Sequence, residues 1–288
     1  MARTRSIAEV LYARPFDMDG LPIRQPFPAP GRRQIDPFIL LHHAQVSIPA
    51  TTDLESAGVG PHPHKGFSPV TFIFKGGVHH RDSYGNDSIV YEGGTQWMNA
   101  GRGIMHSERP PHNIFDIGGT QEIIQLWVNS PATHKQDEPT YFPLSKEATP
   151  KLELDGGRAE IFIQAGSILG QQGAITGLSP VNAATLYLKQ GATLTIPVPE
   201  DHNVVIYILE GALSFSEQDV KTHHAAVFSD EGSSIHFTAA ENTRALLLTG
   251  APIAEPIAMY GPFVMNTEGE IKQAFIEYQL GKMGVLAE

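Results

Sequence analysis

Two short motifs carry residue types that do chemistry, His62-Pro63-His64 and His106-Ser107-Glu108. In an extended segment, residues i and i+2 point to the same side, about 7 Å apart along the backbone. Proline fixes its own φ and pushes the preceding residue into β or polyproline space. Pro63 therefore holds His62 and His64 extended, with both imidazoles able to converge on one point. His106 and Glu108 repeat that spacing, so two neighbouring strands could present three imidazoles and one carboxylate together. Three nitrogen donors and one oxygen donor, without sulfur, suit Fe(II), Mn(II), Ni(II), Co(II) or Cu(II). A six-coordinate ion would keep positions open for substrate or dioxygen, whereas a closed tetrahedral zinc site would leave none. Each motif alone is a weak signal among 13 histidines. The same residues would also serve as core and loop histidines hydrogen-bonded to backbone.

The elements that would position these motifs are short strands. Between Ile35 and Val128, β-rich runs alternate with glycine turns. Val70–Phe74 precedes Gly76-Gly77, Ser88–Tyr91 precedes Gly93-Gly94, and Thr95–Asn99 precedes Gly101-Arg102-Gly103; Ile104–Ser107 and Glu122–Val128 complete the series. This rhythm predicts a sandwich or barrel of jelly-roll type. Pro139, Pro143 and Pro150 mark a linker. The second half repeats the periodicity, since Val204–Gly211 can be laid on Val70–Gly77 and Ser233–His236 on Gly103–His106, which predicts a duplicated barrel. In the second half Pro197, Pro199 and Thr238 are read as standing in place of His62, His64 and Glu108, leaving only His236, so the second barrel is expected to hold no metal. The C-terminus differs in kind. Thr267 and Glu270 form a capping box, Ile271, Ala274, Phe275 and Tyr278 share one helical face, and Gly281 closes it. His202, His223 and His224 read as surface.

The 288 residues, 41% of them hydrophobic, suffice for two cores of roughly 120–150 residues each. A formal charge of −11 argues against nucleic acid, which needs a basic footprint. The absence of cysteine excludes disulfides, iron–sulfur clusters, thiolate zinc sites and cysteine nucleophiles. No apolar run reaches membrane-helix length, and Glu9 interrupts the short apolar stretch near the start, so a cytoplasmic protein is expected. The first 33 residues are locally basic, with Arg3, Arg5, Arg14, Arg24, Arg32 and Arg33 against Glu9, Asp17 and Asp19. They read as a solvated strand and loop, or as a docking patch for an acidic partner.

Longer motifs give these positions a family context. The runs His62–Phe67, His80–Asn86 and Gln96–Glu108 resemble the pirin family of the cupin superfamily, as do Ile35–Leu41 and Tyr260–Thr267. The resemblance implies an all-β bicupin, two jelly-roll type β-barrels with a C-terminal α-helix. The expected boundaries are 1–138 for a metal-binding cupin barrel, 139–150 for the linker, 151–265 for a barrel without metal, and 266–288 for the helix and tail. The family's ligands fall on His62, His64, His106 and Glu108, holding one mononuclear transition metal, Fe(II) first and Ni, Mn, Co, Cu or Zn as alternatives. Family members include quercetin 2,3-dioxygenases, which implies a flavonol-like aromatic substrate and dioxygen, with Glu108 taking the substrate's hydroxyl proton. Others are iron-dependent regulators. The rival reading is therefore a non-enzymatic, redox-sensing iron protein that docks a transcription factor or a metabolic enzyme. Phe67, Trp97 and Met98 are candidate pocket walls, and His80 and Asp82 are candidate groups behind the ligands. Lys65, where the family usually has Arg, and His42-His43 are departures placed to alter a binding surface.

Overall fold

The computed structural model describes residues 3–18, 20–31, 34–50, 57–216 and 218–287. Arg32, Arg33 and Asp19 of the basic segment lie outside the described residues. The chain divides into two units, one of residues 16–23, 38–146 and 253–288, the other of 1–15, 24–37 and 147–252.

In the first unit a seven-stranded sheet runs in the order Thr140–Leu144, Thr95–Asn99, Phe67–Lys75, Gly119–Asn129, Phe38–Ile48, Leu21–Gln25, Arg14–Met18. A four-stranded sheet runs Val59–His64, Ile104–Arg109, Gly77–Asp82, Asp87–Tyr91. The second unit repeats this plan. Its seven strands are Ile7–Tyr12, His224–Phe228, Asn203–Glu210, Thr243–Gly250, Val181–Leu188, Ala159–Ala165 and Lys151–Leu154, and its four are Thr193–Pro197, Ser234–Ala239, Ala212–Ser214 and Asp219–Lys221. The duplication read from periodicity is present, one residue out of step. The strand Phe67–Lys75 ends at Gly76 (φ +76°) and Asn203–Glu210 at Gly211 (φ +85°). A Cβ on Gly76 would lie 2.7 Å from the Thr120 carbonyl, so a glycine is required where that strand turns. The fold is thus all-β with two barrels and a C-terminal helix.

The two interiors differ in chemistry. Between its sheets the second unit is filled by Leu194, Ile196, Ile235 and Phe237 from the four-stranded sheet against Ile206 and Leu247 from the other. His236 points out of this core and meets Thr195 Oγ1 at 2.8 Å. In the first unit the corresponding pair of strands carries His62, His64, His106 and Glu108.

Three sequence expectations about organisation are corrected. The N-terminal strand Ile7–Tyr12 does not belong with residues 16–138; it pairs antiparallel with His224–Phe228, Leu11 opposite Ala225. Arg5 is no docking residue. It is buried, and its guanidinium donates to the carbonyls of Pro199, Glu200, His202, Ser229 and Gly232. The expected linker 139–150 contains the strand Thr140–Leu144, which pairs with Thr95–Asn99 at the sheet edge. Pro143 is tolerated there because an edge position does not need every N–H.

The helix Glu268–Gln279 begins at the expected Thr267/Glu270 capping box. Ile271 and Ala274 are buried while Tyr278 is 41% exposed, so the apolar face is narrower than its spacing suggests. Gly281 follows the Leu280 cap at φ +70°, the left-handed residue that ends many helices. Lys65 is buried rather than on a binding surface; its ammonium pairs with Glu277 of this helix at 3.0 Å and donates to the Arg102 carbonyl. His202 is also buried, its Nδ1 2.9 Å from Thr249 Oγ1.

Candidate metal centre

The strand Ile104–Arg109 lies between Val59–His64 and Gly77–Asp82, and its register assembles the site. His106 stands opposite His62 on one side and Asp82 on the other, and Glu108 stands opposite His80. The register slips between His106 and Glu108, where one extra residue of the partner strand is accommodated. Gly58 permits this close crossing, since a Cβ there would sit 2.5 Å from the Glu108 carbonyl oxygen.

His62, His64 and His106 offer ligand atoms that all lie within 4.8 Å of one another, the group of this kind among the described residues. The ring centroids are 4.3 Å apart for His62 and His106, 4.8 Å for His62 and His64, and 4.9 Å for His64 and His106. His62 Nδ1 donates to the Gly60 carbonyl at 2.8 Å and His64 Nδ1 to the Pro262 carbonyl at 3.3 Å. A carbonyl can only accept, so each ring carries a hydrogen on Nδ1, and an uncharged ring so held presents its Nε2 as a lone pair. Those two Nε2 atoms are 3.2 Å apart. His106 Nε2 is buried without a hydrogen-bond partner. Lone pairs converging in a buried space repel unless a cation lies among them, and this donor set fits a transition ion. Burial first, and the neighbouring histidines second, hold His64 and His106 well below the ordinary histidine pKa, so both rings are neutral and able to ligate near pH 7.

Glu108 stands apart from that group. Its carboxylate is buried and gripped by two donors, Thr71 Oγ1 to Oε1 at 2.8 Å and Gln125 Nε2 to Oε2 at 2.6 Å. Trp127 Nε1 donates to Gln125 Oε1 at 3.1 Å, which turns the amide so that its NH₂ faces Glu108. Thr71, Gln125 and Trp127 come from the seven-stranded sheet and were not singled out by sequence reasoning.

Of the remaining candidates, Phe67 packs against Trp127 and His64, with centroids at 4.3 and 5.0 Å. His80 and Asp82 are buried behind His106. Hydrogen bonds from His80 and Asn86 hold Asp82 below the usual carboxylate range despite the opposing effect of burial. Met98 and Trp97 are corrected: Met98 packs with Ala100, Ile104 and Tyr141, and Trp97 is buried with its Nε1 on Asn99. The cavity that reaches Glu108 and Gln125 is instead walled by Met18, Leu21, Ile23 and His42. Burial pushes His42 down to about 4, so it is neutral there.

Comparison with known proteins agrees with this architecture. Residues 20–128 match the family model described as Pirin, and residues 183–284 match the Pirin C-terminal cupin domain. The crystal structure of a quercetin 2,3-dioxygenase from Acinetobacter baumannii superposes with a TM-score of 0.92 at 34% identity, covering 99% of this chain and 100% of that one. A bacterial pirin from Escherichia coli in complex with nickel(II) shares the fold, with a TM-score of 0.67 at 18% identity over 85% of this chain and 99% of that one. A pirin-like protein from Solanum lycopersicum is 38% identical over 98% of this chain and 94% of its own length. Likeness of that degree along nearly the whole length means that this chain belongs to the pirin family.

Proposed function

We propose that this pirin is a mononuclear metal-dependent dioxygenase that opens the heterocyclic ring of a flavonol such as quercetin. The observation that carries the reading is the convergence of the His62, His64 and His106 imidazoles, with His106 Nε2 buried and unpartnered, in a barrel whose Glu108 carboxylate borders a cavity. The 34% identical quercetin 2,3-dioxygenase of matching fold supports the choice of substrate class. His62, His64 and His106 would hold the ion, Fe(II) by preference, with Glu108 as the oxygen donor beside them. Such an ion supplies Lewis acidity toward a substrate hydroxyl and a redox-active centre for dioxygen chemistry. Glu108 takes the proton of that hydroxyl, and Thr71 and Gln125 keep its two oxygens aimed. Met18, Leu21 and Ile23 give the cavity an apolar wall suited to an aromatic ring.

One observation favours the regulator reading. The cavity has a volume of ≈ 50 Å³, whereas pockets for drug-sized ligands run to roughly 300–1,000 Å³. A flavonol enters only if the wall formed by Met18, Leu21 and Ile23 moves outward. If it stays closed, the ion would serve as a redox-sensing switch for a protein partner. Aerobic oxygen consumption with quercetin, after reconstitution with Fe(II), Mn(II), Ni(II), Co(II), Cu(II) and Zn(II) in turn, separates the two. Turnover with at least one ion is the expected result. Turnover with none defeats the dioxygenase reading in favour of the regulator.

A further inference from the structure

His106 differs from the other two histidines of the cluster in how its ring is held. His62 and His64 each give Nδ1–H to a backbone carbonyl, a partner that no side-chain change removes. The Nδ1 of His106 faces only another side chain, Nδ1 of His80, at 3.5 Å. Which of these two nitrogens carries the hydrogen decides whether His106 Nε2 is a lone pair or an N–H.

The answer is set one residue further out. His80 Nε2 lies 2.9 Å from Asp82 Oδ2. Asp82 is itself fixed as a carboxylate by three other donors, Tyr84 N and Asn86 N on Oδ1 and Asn86 Nδ2 on Oδ2. An ionised carboxylate only accepts, so His80 carries a hydrogen on Nε2, and an uncharged imidazole with that hydrogen offers a lone pair at Nδ1. Two lone pairs facing each other at 3.5 Å would repel; His106 therefore carries its hydrogen on Nδ1 and leaves Nε2 bare. His106 Nε2 is the buried atom of this site that has no partner. The His80 ring is clamped in plane by Tyr141, with centroids 3.9 Å apart and an interplanar angle of 5°, and Ser88 holds the Tyr141 hydroxyl at 2.8 Å. The arrangement is rigid and directional, Asp82 to His80 to His106.

We propose that Asp82 and His80 are positioning residues that lock His106 in the Nδ1–H tautomer, so that its Nε2 lone pair is delivered to the metal. The proposal rests on the reading that the three histidines hold an ion. Groups of this kind orient a ligand and raise its basicity, and losing one typically lowers metal affinity about 10–100-fold.

The test has two readouts on the full-length protein. Two-bond ¹H–¹⁵N spectra of the metal-free protein, with ¹⁵N-labelled histidine, report the tautomer of each ring directly. Competition titration of Ni(II) against a chelator gives the affinity. Asp82→Asn keeps the shape but allows an amide N–H to face His80 Nε2; His80→Phe keeps the ring stacked on Tyr141 but removes the acceptor. The expected result is Nδ1–H His106 in the wild type, a mixed tautomer in both variants, and Ni(II) binding weaker by about 10–100-fold in each. A wild-type His106 protonated on Nε2 overturns the proposal, as does Ni(II) binding within about threefold of wild type in both variants. Failure of the underlying metal reading looks different, namely wild-type protein that binds no Ni(II) at all, and it removes this proposal with it.

Discussion

Thr71 and Gln125 are cross-strand partners in the seven-stranded sheet, and both donate to the same carboxylate, that of Glu108. The register of one strand pair therefore fixes the orientation of an acid from the opposite sheet. A carboxylate held on both oxygens loses little further freedom when it takes up a proton at one of them, which suits a general base.

Glu108→Gln keeps the side chain's size and removes its proton affinity. General-base contributions are typically 10²–10⁴-fold, or roughly 3–5 kcal/mol of barrier. With metal occupancy verified in the same sample, quercetin-dependent oxygen consumption is expected to fall by that factor. Turnover within about threefold of wild type would exclude Glu108 as the base.

Arg5→Ala is expected to destabilise the second unit by roughly 2–4 kcal/mol, because it leaves five carbonyl oxygens without their buried cationic donor. Denaturant unfolding of the full chain measures this, and metal content should be unchanged. A loss under about 0.5 kcal/mol would mean that Arg5 is the solvated residue its sequence context suggested.

The convergence of His62, His64 and His106 was legible in the sequence because Pro63 fixes an extended backbone and the i, i+2 spacing then dictates a common face. The grip on Glu108 was not. Thr71 and Gln125 are ordinary polar strand residues, and their meaning arises only when Gln125 is brought opposite Thr71. The unit boundaries failed for a related reason. Alternation in Ile7–Tyr12 shows a strand but not which sheet edge it joins, and that edge is 212 or more residues away at His224–Phe228. Met98 was misplaced because all five residues of Thr95–Asn99 are buried, so alternation does not distinguish a face toward the site.

Lys135 provides a pH-dependent check on the core behind the site. Its ammonium donates to Gly66 O, Asn129 Oδ1 and Val264 O, and burial pulls its pKa down to about 8. In the unfolded chain it titrates near 10.4. Between those values the unfolded state binds more protons, so this group makes stability rise with pH from about 8 to about 10.4 and contributes no slope below that window. The gain is on the order of 3 kcal/mol. Lys135→Met is expected to flatten the stability profile across that window relative to wild type. Parallel profiles would show that the ammonium is not strained by burial.

The most direct test of the metal centre is elemental analysis of three full-length proteins, wild type, His106→Ala and His236→Ala, purified side by side. Full chains are required because the two units interleave along the sequence. His106 lies in the convergent cluster, whereas His236 sits outside the apolar core of the second unit on Thr195. One transition-metal ion per chain in wild type and His236→Ala, with the ion lost from His106→Ala, is the predicted result. Equal metal content in all three proteins, or metal lost only with His236, would contradict it.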